Sequence, residues 1–200
     1  MKELIVASRN KGKVAEIKEL LVGLPYKVTS LLEYPHLPDV VEDGKTYREN
    51  ALKKAVEIAK LTGKMTISDD SGLEVKALGN APGIYSARFA GEGASEKDKN
   101  QKLFKMLKGV PLHKRQARYR CVIAFVDGKG QEIAVVEGTC SGLIALKEQG
   151  TNGFGFDPLF LLKRYNKTFG QLSPTLKAKI SHRARALKKF RAIIEKYRLF

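Results

Sequence analysis

Apolar and polar positions along this chain switch between a period of two and a period of about 3.6, and the switches mark its elements. Residues 2–7 are an apolar, β-branched run closed by Ser8-Arg9-Asn10, which predicts a buried strand and then a turn. From Lys11 the apolar residues Val14, Ile17, Leu20 and Leu21 recur at helical spacing, and Gly23 stops the helix. Tyr26–Ser30 reads as a short strand, and residues 31–45, with two prolines and several acidic groups, read as a loop. Thr46-Tyr47-Arg48-Glu49 has the form of a capping box, opening a helix whose buried stripe is Leu52, Ala55, Val56 and Ala59 before Gly63. A strand over Met65–Ser68 runs into Asp69-Asp70-Ser71-Gly72, with Leu73–Val75 continuing in extended form.

The second half changes character. Residues 79–94 are rich in Gly and small side chains and predict an ordered loop. Ser95–Leu107 is a helix with Leu103, Phe104 and Leu107 inward. Arg118–Val126 and Glu132–Glu137 flank Asp127-Gly128-Lys129-Gly130, a hairpin signal, and a further strand is expected at Gly142–Leu146. Gly150–Pro158 is a Gly-rich loop, and Ser181 caps a last helix with Leu187, Phe190, Ile194 and Tyr197 inward. Strand–helix alternation followed by hairpins and a helix predicts an α/β fold with a mixed sheet, as one domain over residues 1–200. A cleft between two lobes would let the early loops face the late ones.

Composition changes this picture in one respect. A 43% hydrophobic content supports a core, and no apolar run approaches the ~18 residues that span a bilayer. Met1–Ala7 is too short and too soon interrupted for a signal peptide, so no membrane association and a cytoplasmic location are expected. Cys121 and Cys140 lack zinc or redox spacing and are expected as buried, reduced thiols. The outlier is charge: 37 Lys plus Arg against 21 Asp plus Glu, a net of +16 that attracts polyanions, including free nucleotides. The cations are spread along the chain, with some enrichment from Lys177 to Arg198, so a solvated basic surface without stable nucleic-acid binding is the expectation.

Candidate chemistry gathers in a few segments. At Ser8-Arg9-Asn10-Lys11-Gly12-Lys13 a strand hands a hydroxyl and an amide to a helix start, where free N–H groups and the helix dipole favour an anion and Lys13 adds a point charge. The Walker spacing is absent. Asp69 and Asp70 are adjacent carboxylates that need compensation, either from a hard divalent cation or by capping a polar turn with Gly72. Neighbouring strand residues point to opposite faces, so the two need not share a role. Glu42 makes a plausible Mg2+ pair with Asp70, and either Lys53 or Lys54, but not both, can face the same place. In Gly150–Pro158, Phe154 and Phe156 offer flat faces for a base, one ring being expected in the core and the other toward ligand. Lys177, His182 and Arg183 lie at or before the last helix, where the His–Arg pair can donate to a carbonyl on a base. No Ser-His-Asp set is present, and the ensemble suits metal-assisted phosphoryl chemistry better than acyl transfer.

In this order, Ser8-x-Asn10-x-x-Lys13, Glu49-Asn50-Ala51, Asp69-Asp70-Ser71-Gly72-Leu73, Pro82-Gly83-Ile84-Tyr85-Ser86-Ala87-Arg88, Gly153-Phe154-Gly155-Phe156-Asp157-Pro158 and Ile180-Ser181-His182-Arg183 resemble the inosine triphosphate pyrophosphatase family. The six segments run from residue 8 to residue 183. The resemblance implies an elongated mixed α/β fold around a central cleft, a homodimer, and Mg2+-dependent hydrolysis of ITP, dITP or XTP to the monophosphate and pyrophosphate. It implies that Ser8, Arg9, Asn10, Lys11, Gly12 and Lys13 bind the triphosphate, with Lys54 near the phosphates. Asp70 would act at the metal and accept a proton from the attacking water, and Glu42 would be a metal ligand or its support. Ser71, Phe154, Gly155, Phe156, Asp157, Lys177, His182 and Arg183 would touch substrate. This chain has Asn152 where the family often has Gly, and Phe156 where it often has Tyr, which makes Phe154 the firmer stacking candidate.

Overall fold

The computed structural model describes residues 2–197, so Met1 and Arg198, which bounded two of the expectations above, lie outside the described residues. The elements are β1 (Lys2–Val6), α1 (Lys11–Leu20), β2 (Tyr26–Ser30), α2 (Tyr47–Thr62), β3 (Met65–Val75), α3 (Glu96–Met106), β4 (Gln116–Val126), β5 (Glu132–Ile144), β6 (Phe160–Leu162), β7 (Lys167–Thr168), α4 (Pro174–Ile180) and α5 (His182–Tyr197). The sheet order is β2-β1-β3-β4-β5-β6-β7. β1 pairs in parallel with both β2 and β3, whereas β5–β6 and β6–β7 are antiparallel. The mixed α/β sheet expected from the sequence is therefore present.

The chain divides into two compact units, the first comprising residues 1–70, 121–138 and 183–200 and the second residues 71–120 and 139–182. The core of the first joins Leu4 and Val6 of β1, Val14 and Ile17 of α1, Ile67 of β3, Phe125 of β4 and Leu187, Phe190 and Ile194 of α5. That of the second joins Leu73, Leu103, Phe156, Phe160 and Phe169. Cys121 and Cys140 are both buried. Among the described residues no helix is long and apolar enough to cross a membrane.

Three local expectations change. The Asp69–Gly72 segment is not a turn: β3 runs unbroken through it for 11 residues. The strand expected at Gly142–Leu146 is the far end of β5, one 13-residue strand through Gly138 and Gly142. At α2, Thr46 caps Glu49 N (3.1 Å), but the Glu49 carboxylate returns to Lys45 N (2.7 Å) rather than to the cap residue itself. β6, β7 and α4, short elements set among Gly and Pro residues, carry no periodic signal long enough to predict.

Candidate active site

β3 presents two adjacent carboxylates to opposite sides, as strand geometry requires. Asp69 Oδ2 lies 3.3 Å from Lys13 Nζ on α1 and accepts from Arg183 at 3.1 and 3.3 Å. The other guanidinium nitrogen of Arg183 donates to Glu16, one helical turn beyond Lys13. Asp69 and Arg183 are both essentially buried. Burial alone would raise the Asp69 pKa, but Lys13, Arg183 and Lys54 outweigh it and hold the carboxyl well below the usual carboxylate range. Burial likewise opposes the charge of Arg183, and Asp69 above all keeps it protonated far beyond an ordinary arginine. Cys121, with Sγ 4.0 Å from Asp69 Oδ2, has its thiol pushed up to about 12 by burial and then by that carboxylate. It is no nucleophile.

Asp70 faces α2. Its Oδ2 accepts from Asn50 Nδ2 (3.2 Å), and its Oδ1 is 3.9 Å from Lys54 Nζ. Lys54 Nζ also donates to Glu42 Oε1 (2.7 Å) and to the Asp69 carbonyl (2.9 Å). Asn50 and Lys54 are one turn apart on α2, so a single helix face supplies both partners. Lys53 turns away to Asp43 (2.7 Å), which resolves which of the two lysines faces inward. Asn50 is fixed in turn by Gly44 N, which donates to its Oδ1 (2.8 Å); a Cβ on residue 44 would sit 2.6 Å from that oxygen, so only glycine allows the approach. Burial pushes the Asp70 pKa up; Lys54 and Lys13 offset this only in part, and Glu42 adds to the rise. Lys54 goes the other way from what its burial favours, because Asp70, Glu42 and Asp69 together keep it charged. The two adjacent carboxylates thus shift in opposite directions, Asp69 down and Asp70 up.

The turn between β1 and α1 is ordered by its own side chains. Asn10 Oδ1 accepts from Lys13 N (3.0 Å) and Asn10 N donates to Ser8 Oγ (3.2 Å). Lys11 is exposed, and Gly12 and Lys13 are half-buried. The Arg9 guanidinium is committed elsewhere, to Asp39 (2.8 Å) and the carbonyls of Leu31 (2.7 Å) and Leu37 (2.5 Å), so it ties down the loop after β2.

In the second unit, the 150–158 loop is organised around Asp157. Its Oδ2 accepts from Lys177 Nζ (2.6 Å) and from Phe154 N (2.8 Å). Gly153, at φ 79°, would place a Cβ only 2.0 Å from that oxygen, so the loop demands glycine there. Lys177 Nζ stands 4.6 Å from the centre of the half-buried Phe154 ring. Gly155 adjoins it, half-buried. The Phe156 ring is not a ligand face: it is 4% exposed, belongs to the core of this unit and meets Phe89 edge-on at 6.2 Å. His182 is buried and stacks on Tyr119, with centroids 4.5 Å apart and planes 9° from parallel. Ser71 is half-buried on β3 directly after Asp70.

Within the first unit, Lys13, Glu42, Lys54, Asp69 and Asp70 come together. Arg183, expected to read a base, instead has its guanidinium enclosed by Asp69 and Glu16, because that pair is the nearest compensation for a buried cation. Glu16 escaped the sequence reading, and Asn50 entered it only within Glu49-Asn50-Ala51 without a site role, although each lies at helical spacing from a residue given one: Glu16 at i+3 from Lys13 and Asn50 at i−4 from Lys54. Among the described residues no three His, Cys, Asp or Glu side chains gather as a metal cluster. Glu42 and Asp70 are two carboxylates that share the Lys54 ammonium, at 2.7 and 3.9 Å, a pair of oxygen donors of the kind a hard cation takes when phosphate oxygens complete its shell.

The chain is similar to known proteins over nearly its whole length. The family model described as the Ham1 family matches residues 4–193. A protein of Desulforamulus reducens named dITP/XTP pyrophosphatase is 48% identical over 97% of this chain and 96% of its own length. One of the same name from Bacillus licheniformis is 49% identical over 98% of this chain and 99% of its own. The structure of a HAM1 protein from Coxiella burnetii superposes with a TM-score of 0.89 at 37% identity, covering 98% of this chain and all of that one. Matched over residues 4–193, the chain belongs to the Ham1 family.

Proposed function

We propose that this protein hydrolyses the non-standard purine nucleoside triphosphates ITP, dITP and XTP to the monophosphate and pyrophosphate, removing them from the nucleotide pool. The observation that carries the proposal is the Asp69–Asp70 pair. Asp69 is locked to Lys13 and Arg183, while Asp70, with its pKa raised by burial, is held in place by Asn50 and Lys54 beside Glu42. The relatives named dITP/XTP pyrophosphatase support the substrate class.

In this reading Ser8, Asn10 and the backbone N–H groups at the start of α1 hold phosphate oxygens, with Lys11, Gly12, Lys13 and Lys54 alongside. Arg9 contributes through its backbone, since its side chain is engaged with the 31–39 loop. Asp70 accepts a proton from the attacking water as a new oxygen–phosphorus bond forms at the α-phosphorus and pyrophosphate leaves. Glu42 and Asp70 would hold Mg2+, which offsets phosphate charge when bound. On the second unit, Phe154 offers its ring to the base, Lys177, Gly155 and Asp157 order that loop, Ser71 contacts substrate, and His182 supplies a donor. The support for a cytoplasmic homodimer is the family resemblance.

The test is a panel of ITP, dITP, XTP, ATP and GTP with Mg2+, assayed separately for pyrophosphate and orthophosphate. We expect pyrophosphate as the first product and non-standard purines preferred by about a hundredfold, the scale that a matched or unmet buried hydrogen bond supplies. Orthophosphate as first product would overturn the reaction; equal rates on all five would overturn the substrate class.

A further inference from the structure

The segment Pro82–Arg88, singled out by the sequence, has no part in the chemistry above, and the structure gives it one. Along a strand, successive residues direct their N–H and C=O groups to alternate sides. β1 pairs with β3 through Val6 and Ile67, and Ala7 N then donates to the Ile67 carbonyl (2.8 Å), so the odd-numbered residues of β3 face β1. The pairing register with β1 ends there, just before Asp69, Asp70 and Ser71.

Beyond that point the same edge is completed piecemeal. Lys54 Nζ donates to the Asp69 carbonyl (2.9 Å). Leu73 N donates to Ser86 Oγ (2.9 Å), and Val75 N to the Ala81 carbonyl (3.1 Å), next to the Glu74–Pro82 bridge. Ser86 Oγ also donates to the Gly83 carbonyl (2.7 Å), so both its donor and one acceptor site are directed, and the residue is buried. A side-chain hydroxyl stands where a strand would supply a carbonyl. Leu73, whose N–H it receives, is fully buried.

We propose that Ser86 is a positioning residue: by closing the open edge of β3 at Leu73 it fixes the backbone that carries Asp70 and Ser71. The inference rests on the pyrophosphatase reading for its kinetic consequence, but not for its structural one. The β1 register runs to Ile67, and beyond it Lys54 meets the backbone of Asp69 and Ser86 that of Leu73.

The experiment compares wild type, Ser86→Ala and Ser86→Thr by amide hydrogen exchange over residues 69–75 and by pyrophosphate release from dITP. In wild type the Leu73 amide should exchange slowly; rapid exchange there would overturn the proposal without any variant. Ser86→Ala should exchange about tenfold faster at Leu73, the scale of one lost hydrogen bond, with the amides of the β1–β3 pairing unchanged. Its kcat should fall about tenfold with KM within twofold, since the altered backbone carries the proton acceptor rather than the phosphate-holding turn. Ser86→Thr, which keeps the hydroxyl, should restore both. A folded Ser86→Ala with wild-type kcat and only a lower Tm would reduce Ser86 to a stabiliser and overturn its positioning role. No pyrophosphate from wild type would instead refute the functional reading, leaving the exchange data to decide the strand edge.

Discussion

The two faces of β3 at residues 69 and 70 place adjacent carboxylates in opposite surroundings. On one face a carboxylate is enclosed by Lys13 and Arg183, and these cations outweigh the burial that opposes its charge. On the other, a carboxylate equally hidden from water has an amide at 3.2 Å, an ammonium at 3.9 Å and a second carboxylate sharing that ammonium, so burial works against its charge. Depth alone therefore does not set a protonation state. What decides is whether the opposite charge arrives at contact distance or is divided between two acids.

The largest test of this contrast is catalytic. Asp70→Asn should cut pyrophosphate release from dITP by about a thousandfold, the scale of a lost general base, with the fold intact by circular dichroism. Near-wild-type turnover would remove Asp70 from the proton-accepting role. Next comes stability. Asp69→Asn leaves Arg183 buried against Glu16 alone and should destabilise by roughly 3–5 kcal/mol, lowering Tm by about 10 °C. An unchanged Tm would mean that the Asp69–Arg183 pair contributes nothing net.

A third variant carries the opposite sign. In metal-free buffer at pH 7, Asp70→Asn should stabilise by roughly 0.5–2 kcal/mol, because it relieves a charge that the fold holds at a cost for function. A fall in Tm as large as that of Asp69→Asn would show that the two faces are alike after all.

How much of this was legible beforehand follows from the range of the interactions. Period-two alternation already separated Asp69 from Asp70, and the Thr46 cap with its apolar stripe predicted α2 and thereby the helix that carries Lys54. The choice of anchor was hidden, because Arg183 lies 114 residues from Asp69 and nothing local to a His–Arg pair says which way it turns. Arg9 misled for the same reason: a cation beside a phosphate-like turn looks like a ligand group until the carbonyls of a loop 22 and 28 residues away claim it. Gly138 and Gly142 made β5 look like two strands, yet each lies inside one continuous strand.

The smallest effect is the most discriminating, because pH moves the two faces in different windows. Asp70 has a raised folded pKa, so its stabilising contribution is complete below the unfolded value, ordinarily 3.8, and is lost as pH rises through the folded value. The Tm advantage of Asp70→Asn over wild type should accordingly shrink as pH falls from 7 and vanish near 3.8. Asp69 is depressed, so its contribution is complete above 3.8 and is lost only as pH falls toward its lower folded value. The Tm deficit of Asp69→Asn should thus persist across the window in which the other difference closes. Thermal unfolding of the three proteins without metal, at half-unit steps from pH 7 to 4, measures both curves together. Two differences that close in parallel would mean that the carboxylates titrate as one coupled group, and the division of labour along β3 would have to be abandoned.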